Sequence, residues 1–599
     1  MDESLEGQKL AAVESWDLDA ELVLEKWRQF ILTYKAEAVC ACLLLLMAAN
    51  LLTAISRKSI TNDEIVHIPA GYYHLVAGDF HLNNEHPPLV KMWAALPLLF
   101  IQPDEPPAPK TEDESFMERT WGFHERFWQE NRARFQSVTF WPRVMMIPIT
   151  LALGALIFLF ARKLFGESAA LVSVALYVLE PTVLAHGRIV HTDLPAALAY
   201  LLFFFMLHRY TEKPVMSRAV WLGLAGGVAL LTKFSLVVIV PLLVVLVLIR
   251  LWTTRRDRIH RRRVLKHAGL VAAIILLCVN AAYYFQRPPL DPSDVGWVAT
   301  KSAPLFGEIT TGLRVLSKVV PTYYLFGIYN VAVHNHYGHA TSLMGQHSDL
   351  GWWYYFPVAF GLKTSLPFLL LSVTAVAWSL WMLAAKRDAR FLFLVVPLAI
   401  YVALSVSSNI NIGIRHFLPA YPFLFIAGGA LLAQLLRLRR KFLGVVVVVL
   451  LFGWMSVEAV RTYPDYISYM NQLASAHPHW WYLSDSNVEW GDDVGELAAY
   501  LKARGETRVR AELSAGWSTL RLYGVEYISL RPQPGDAPLP ETRYVAIGAA
   551  ALNGSTIFLS ELNGKALSQE QRVNFLARYR ERKPEVVFGK SIYLYREKE

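Results

Sequence analysis

The sequence predicts an all-α polytopic membrane protein of about eleven transmembrane helices, followed by a small C-terminal α/β soluble domain. Three observations carry that reading. Hydrophobic residues make up 54% of the 599 and charged residues only 18%, whereas a soluble chain sits near about 45–50% and about 25%. Apolar runs about long enough to cross a bilayer recur from Ala36 to Val460. From Arg461 onward the composition is that of an ordinary soluble domain, with a helical stretch (VGELAAYLKARG) and strand-like runs such as RYVAIGAA and KSIYLYRE.

The apolar runs place spans near 36–56, 141–161, 168–186, 195–210, 218–232, 235–252, 266–285, 366–385, 391–407, 416–434 and 442–460. Orientation follows from basic residues in the short loops. Arg162 and Lys163, Arg209 to Arg218, Arg255 to Arg263, Lys386 to Arg390, and Arg437 to Lys441 all fall on one side when the N-terminus is cytoplasmic and the span count is odd. Reading 218–252 as one long helix would reverse every later loop, so a hairpin is expected there, with Lys233 at its outer turn. Three regions then face outward: loops 57–140 and 286–365, and the tail 461–599. Residues 1–35 read as an acidic, amphipathic cytoplasmic lead-in, unlike the basic start of a signal peptide, and 36–460 as the membrane domain. The net charge of +9 sits in those loops as an orientation signal, which excludes nucleic acid as a partner. Cys40, Cys42 and Cys278 lie inside apolar runs and form no disulfide or zinc pattern.

The first outer loop is the densest chemical region. Asp63, Glu64, Asp79 and Glu85 gather there with His67, His74, His81 and His86, and Pro87-Pro88 fixes the backbone directly after Glu85-His86. In EIVHIPAGYYHLV, Glu64, His67, Gly71 and His74 share one helical face, which predicts a short helix lying along the membrane surface with the acid pair at its start.

The pattern Asp63-Glu64-x-x-His67, then Gly78-Asp79, then Glu85-His86-Pro87-Pro88-Leu89-x-Lys91 resembles the first luminal loop of the protein O-mannosyltransferases and of the lipid A aminoarabinose transferase. Both are GT-C glycosyltransferases that take a sugar from a polyprenyl phosphate. The resemblance runs over roughly residues 36–435, and it implies an inverting transfer with Asp63 as general base and Glu64 as its support or an acceptor contact. It further implies substrate contacts from His67, Asp79, Glu85, His86 and Lys91, and cations for the carrier phosphate at Lys233 and Arg415, beside His416. Asp193, next to Arg188 and His191, is placed near the active cavity, although Leu194-Pro195 after it fits a plain helix start equally well.

The resemblance implies no required cofactor. A divalent metal is the alternative, with Glu85 joined by one of His334, His336, His339 or His347. The partners implied are the polyprenyl-phosphate sugar, membrane lipids, and a glycan, lipid or protein acceptor; the tail does not look like a β-trefoil, which speaks against protein. An inner-membrane location with the active site facing the periplasm follows. Asp485-Ser486-Asn487-x-Glu489-Trp490-Gly491-Asp492-Asp493 stands out in the tail, and an Asx-rich turn before a helix at Val494 accounts for it. Asn553-Gly554-Ser555 fits a glycosylation pattern. The competing class is a transporter or lipid flippase, which would place ionisable groups and broken helices at mid-membrane; here the acids and histidines gather in outer loops.

Overall fold

The computed structural model describes residues 34–106, 122–301, 306–438, 441–531, 540–557, 561–562 and 565–597. The lead-in expected over 1–35 lies outside these, apart from its last two residues.

Nine helical segments among the described residues are long and apolar enough to cross a membrane: Lys35–Ile55, Arg132–Phe165, Asp193–Glu212, Phe234–Thr253, Arg258–Ala282, Leu366–Ala384, Ala389–Val406, Ile414–Leu436 and Phe442–Thr462. Two shorter apolar helices, Glu167–Leu179 and Met216–Thr232, occupy the other two expected spans, so the eleven-helix reading holds. The hairpin at Lys233 holds as well. Helix Met216–Thr232 stops at Lys233, whose backbone is extended (φ −154°, ψ 137°), and the chain resumes in the opposite helix. Where helices cross closely, glycine makes the room: a Cβ on Gly429 would lie 2.1 Å from Ser173 Oγ, the small-residue packing typical of membrane helices.

Between the first spans, α1 (Lys35–Ile55), α2 (Asn62–Val76), α3 (Leu89–Ala95), α4 (Phe123–Glu130) and α5 (Phe135–Val144) follow one another. Helix α2 begins where expected, and neighbouring segments enclose it. Its buried residues run around most of its circumference, from Glu64 through Tyr72 to His74. Pro69 inside it has no N–H to give the Ile65 carbonyl, and Trp128 Nε1 of α4 donates to that carbonyl instead at 2.8 Å. Gly71 lets α3 approach, because a Cβ there would lie 2.2 Å from the Lys91 carbonyl oxygen.

The tail carries the expected α/β unit. Its five-stranded sheet has the order β4-β3-β5-β9-β8, with β3 (Arg508–Glu512), β4 (Glu526–Ser529), β5 (Tyr544–Gly548), β8 (Val586–Phe588) and β9 (Ile592–Arg596). Between β5 and β8 runs a small hairpin, β6 (Glu561–Leu562) with β7 (Lys565–Ala566), and far upstream lies another, β1 (Thr341–Leu343) with β2 (Gln346–Ser348). Strand β3 pairs parallel with β4 and β5, and β9 pairs antiparallel with β5 and β8. Apolar clusters cover both faces: Val494, Leu497 and Leu501 on one, Leu552, Tyr579 and Tyr595 on the other. Every residue of β5 is accordingly buried.

The tail is not a detached module. Ser59 N–H donates to the Asp492 carbonyl at 2.8 Å, and Asn62 N–H to the Trp490 carbonyl at 2.9 Å. Lys58, just past the end of α1, binds Asp465, just past the last span, together with Asp493 and Glu496 of the tail. The first and last spans therefore end on the same side, as an odd span count requires.

Candidate active site

Asp63 is the first acid of α2 and stays partly open, with 18% of its side chain exposed. Arg415 Nη1 ion-pairs with its Oδ2, and Trp490 Nε1 lies 3.3 Å from its Oδ1. The Arg415 guanidinium rests on the Trp490 ring, 4.3 Å from the centroid, a cation–π contact strengthened by burial. Burial alone would raise the Asp63 carboxyl. Arg415, with His67 behind it, outweighs that and holds Asp63 below the usual carboxylate range.

Arg415 also lies 3.6 Å from Asp193 Oδ2, and Asp193 ion-pairs with Lys233. His191 Nε2 donates to the His186 carbonyl at 2.9 Å, and its Nδ1 lies 3.0 Å from Asp193 Oδ2. Four sequence-identified residues, Asp63, Asp193, Lys233 and Arg415, thus meet in one network, with the half-buried His416 beside it.

Glu64 points away from that network. Its carboxylate accepts the Thr61 backbone N–H at 2.8 Å and the Thr61 hydroxyl at 3.0 Å. It also takes Arg143 through Nε at 2.8 Å and Nη2 at 2.6 Å, and Val190 N–H at 3.0 Å. Every lone pair is engaged and the side chain is fully buried, an arrangement that suits the supporting place beside Asp63 among the two expected for Glu64. His67 supports the same joint, since its Nδ1 donates to the Val190 carbonyl at 3.0 Å. Burial, opposed by Asp63, lowers its imidazole to about 4, so the ring is neutral.

Lys91 is enclosed in the same way. It is 1% exposed, and its ammonium donates to the Asn83 side chain at 3.2 Å, the Asn83 carbonyl, and the His86 carbonyl at 3.0 Å. Its work is to fix the loop that carries Glu85 and His86. Burial, opposed by Glu85, lowers the Lys91 ammonium to about 7. Glu85 is open to solvent. His86 packs edge-on against His67, ring centroids 5.5 Å apart. Asp79 accepts His81 N–H at 3.1 Å, while its own carbonyl accepts from His74 Nδ1 at 2.7 Å; these contacts turn it into its own loop rather than toward Asp63.

The outer histidines do not gather around Glu85. His334 Nε2 lies 3.0 Å from His339 Nδ1, His347 bonds the Asn553 carbonyl, and His336 is exposed. Among the described residues, the one group whose ligand atoms converge as a metal would need is Asp465, Asp493 and Glu496. The Lys58 ammonium binds all three, which makes that cage fit a lysine rather than a cation from solution. Asn553 is 2% exposed, and its amide donates to the Leu483 carbonyl at 3.2 Å, which removes it as a glycosylation acceptor.

Two contributors escaped the sequence reading. Arg143 lies inside an apolar run, and a cation there is itself a signal of a buried partner. Trp490 belongs to the tail motif, whose position against α2 no local pattern reveals. The whole motif is built in: Asn487 Nδ2 donates to Tyr355 Oη at 2.8 Å, Ile414 N–H donates to Asn487 Oδ1 at 2.9 Å, and Ser486 Oγ donates to the Ile412 carbonyl at 2.7 Å. It is a wall of the site, more than the turn before a helix that its spacing implied.

Residues 134–284 match the family model of the dolichyl-phosphate-mannose-protein mannosyltransferases. That segment, about a quarter of the chain, holds Arg143, Asp193 and Lys233, and the match is to the class that the first outer loop resembles. No curated protein matches the sequence. Remote likeness in shape extends to ArnT from Cupriavidus metallidurans bound to undecaprenyl phosphate (15% identity, 82% of this chain and 75% of that one, TM-score 0.42). It extends also to the Archaeoglobus fulgidus oligosaccharyltransferase in complex with Zn and sulfate (10%, 86% and 68%, TM-score 0.46). The protein O-mannosyltransferase Pmt1-Pmt2 complex of S. cerevisiae bound to its sugar donor is a third (17%, 42% and 33%, TM-score 0.30).

Proposed function

We propose that this protein transfers a sugar, with inversion, from a polyprenyl-phosphate donor to an acceptor on the periplasmic face of the inner membrane, with Asp63 as general base. The observation that carries the proposal is the Asp63–Arg415–Asp193–Lys233 network, in which a carboxylate at the mouth of a buried cluster is paired with the cations an anionic leaving group needs. The donor class is also the one named in the matching family model, dolichyl-phosphate mannose.

The chemistry follows from the charges. An acceptor hydroxyl gives its proton to Asp63 while its oxygen bonds to the anomeric carbon. The bond from that carbon to the phosphate oxygen breaks on the opposite face, and the electron pair leaves with the carrier phosphate, whose added charge Arg415 and Lys233 balance. A single displacement of this kind inverts the anomeric centre. Arg415 pairs with Asp63 and keeps it a weak base. An arriving phosphate competes for the same guanidinium, so Asp63 gains basicity only when the donor is in place. Glu64, Arg143, His67 and Lys91 hold α2 and the 83–86 loop in register.

The test is turnover of the purified protein with undecaprenyl-phosphate sugars, read as release of sugar-free carrier. Asp63→Asn is expected to lower the rate by about a thousandfold or more, within reach of a lost base with its charge partner, while the melting temperature stays within a few degrees. A variant that keeps wild-type turnover removes Asp63 from the mechanism.

A further inference from the structure

Asp485 opens the tail motif, and nothing in the reaction above uses it. The backbone holds it in the left-handed region, φ 54°, which a non-glycine residue adopts at a cost and which clusters at functional positions. The turn around it is pinned from three sides, by Ser486 on Ile412, by Asn487 on Ile414 and by Asn487 on Tyr355. Gly413 is part of the same fit, since a Cβ there would lie 2.4 Å from Ser486 Oγ. So rigid a mount presents one carboxylate. Its Oδ1 accepts the Ser486 N–H at 2.6 Å. Its Oδ2 lies 3.7 Å from His339 Nε2, too far for a hydrogen bond.

Both side chains are about one quarter open, 23% for Asp485 and 24% for His339. They belong to the Arg415 environment: the Asp485 charge acts on Arg415, and Arg415 acts on His339. Burial lowers the imidazole of His339, so a neutral ring stands beside the Asp485 carboxylate. A carboxylate and a neutral imidazole, 3.7 Å apart and open on one side, form the acceptor and donor set that binds the hydroxyls of a sugar. Their neighbour Arg415 is the cation assigned to the phosphate that such a sugar would carry.

We infer that Asp485 and His339 form the donor-sugar subsite, reading hydroxyl groups of the glycosyl unit while Arg415 and Lys233 hold its phosphate. The inference rests on the donor-site reading given under Proposed function and deepens it. It makes the tail a source of donor specificity.

The experiment measures affinity of the full-length protein for undecaprenyl phosphate, either sugar-free or carrying mannose, glucose or galactose. Asp485→Asn and His339→Gln are compared with wild type, and thermal unfolding confirms that each is folded; asparagine tolerates the left-handed backbone at 485. The wild type is expected to bind at least one loaded carrier more tightly than the bare one. Each variant is expected to lower the ratio of loaded to bare affinity by about tenfold or more; because the Asp485 charge acts on Arg415, the bare-carrier affinity serves as the reference for that ratio. A variant that keeps the preference overturns the inference. So does equal weakening toward loaded and bare carriers, which would make the pair part of the phosphate site or of the scaffold, and so does a wild type indifferent to the sugar. Failure of the wild type to bind even the bare carrier overturns the donor-site reading itself, and the subsite with it.

Discussion

At the scale of single residues, neighbours in sequence divide their labour by what reaches them in space. Asp63 and Glu64 are adjacent acids in one motif. Asp63 faces Arg415, 352 positions away, whereas Glu64 accepts five hydrogen bonds from Thr61, Arg143 and Val190. Burial raises the Glu64 carboxyl in isolation, and Arg143 more than offsets that, so the acid is charged and paired. Breaking one side of a buried pair leaves an uncompensated charge and costs about 3–5 kcal/mol. Glu64→Gln is therefore expected to lower the melting temperature in detergent far more than Asp63→Asn does. If the two variants melt alike, the division between a structural and a reactive acid is wrong. The pair motif was legible in the sequence as a site; which acid does which task was not, because the deciding partners lie on other helices and no spacing within the loop encodes them.

At the scale of elements, what could be read was what depends on local pattern. The membrane helices follow from apolar length, the break at Lys233 from the alternation of basic loops, and α2 from its acid-led, helically spaced residues. How deeply α2 is covered by protein was not legible in its own pattern, for a physical reason. Its polar residues on the shared face are Glu64, His67 and His74, each with a partner on another segment or a neighbouring loop, and α3, α4 and the tail cover what an isolated amphipathic helix would expose. Lys91 misled in the same way, as a charged residue whose partners are backbone oxygens. Close packing gives a test at this scale. Helix α3 touches α2 at Gly71, where an added methyl would meet the Lys91 backbone oxygen at 2.2 Å. Overpacking of this kind costs about 1–3 kcal/mol. It would also move Lys91, and with it the loop of Glu85 and His86. Gly71→Ala is expected to reduce turnover and stability together, whereas an effect on neither would show that the two helices separate without consequence for the site.

At the scale of the whole molecule, the active site is assembled from parts that no short stretch of chain contains: α2 after the first span, Asp193 and Lys233 from the middle spans, Arg415 from a late one, and Trp490 from the tail. Glu489 is the rivet between that tail motif and the sheet. It is 1% exposed and accepts Ser514 N–H at 2.7 Å and Ala550 N–H at 3.0 Å. Burial, opposed by those two amides, raises its carboxyl from 4.5 to about 8. The folded chain thus keeps a proton that the unfolded chain gives up above about pH 4.5. The contribution to stability is complete below that value and is lost as pH rises toward 8. His67 pulls the other way, because its lowered imidazole contributes stability above its unfolded value of 6.5 that fades as pH falls toward 4. The slope of the wild type alone is consequently ambiguous, and the informative quantity is its difference from Glu489→Gln, which cannot ionise and keeps one oxygen for the amides. Melting temperatures recorded from pH 5 to pH 8 are expected to fall more steeply with pH in the wild type than in the variant. Parallel curves would mean that Glu489 titrates as an exposed acid does, and that the joint between tail and site is looser than its hydrogen bonds indicate.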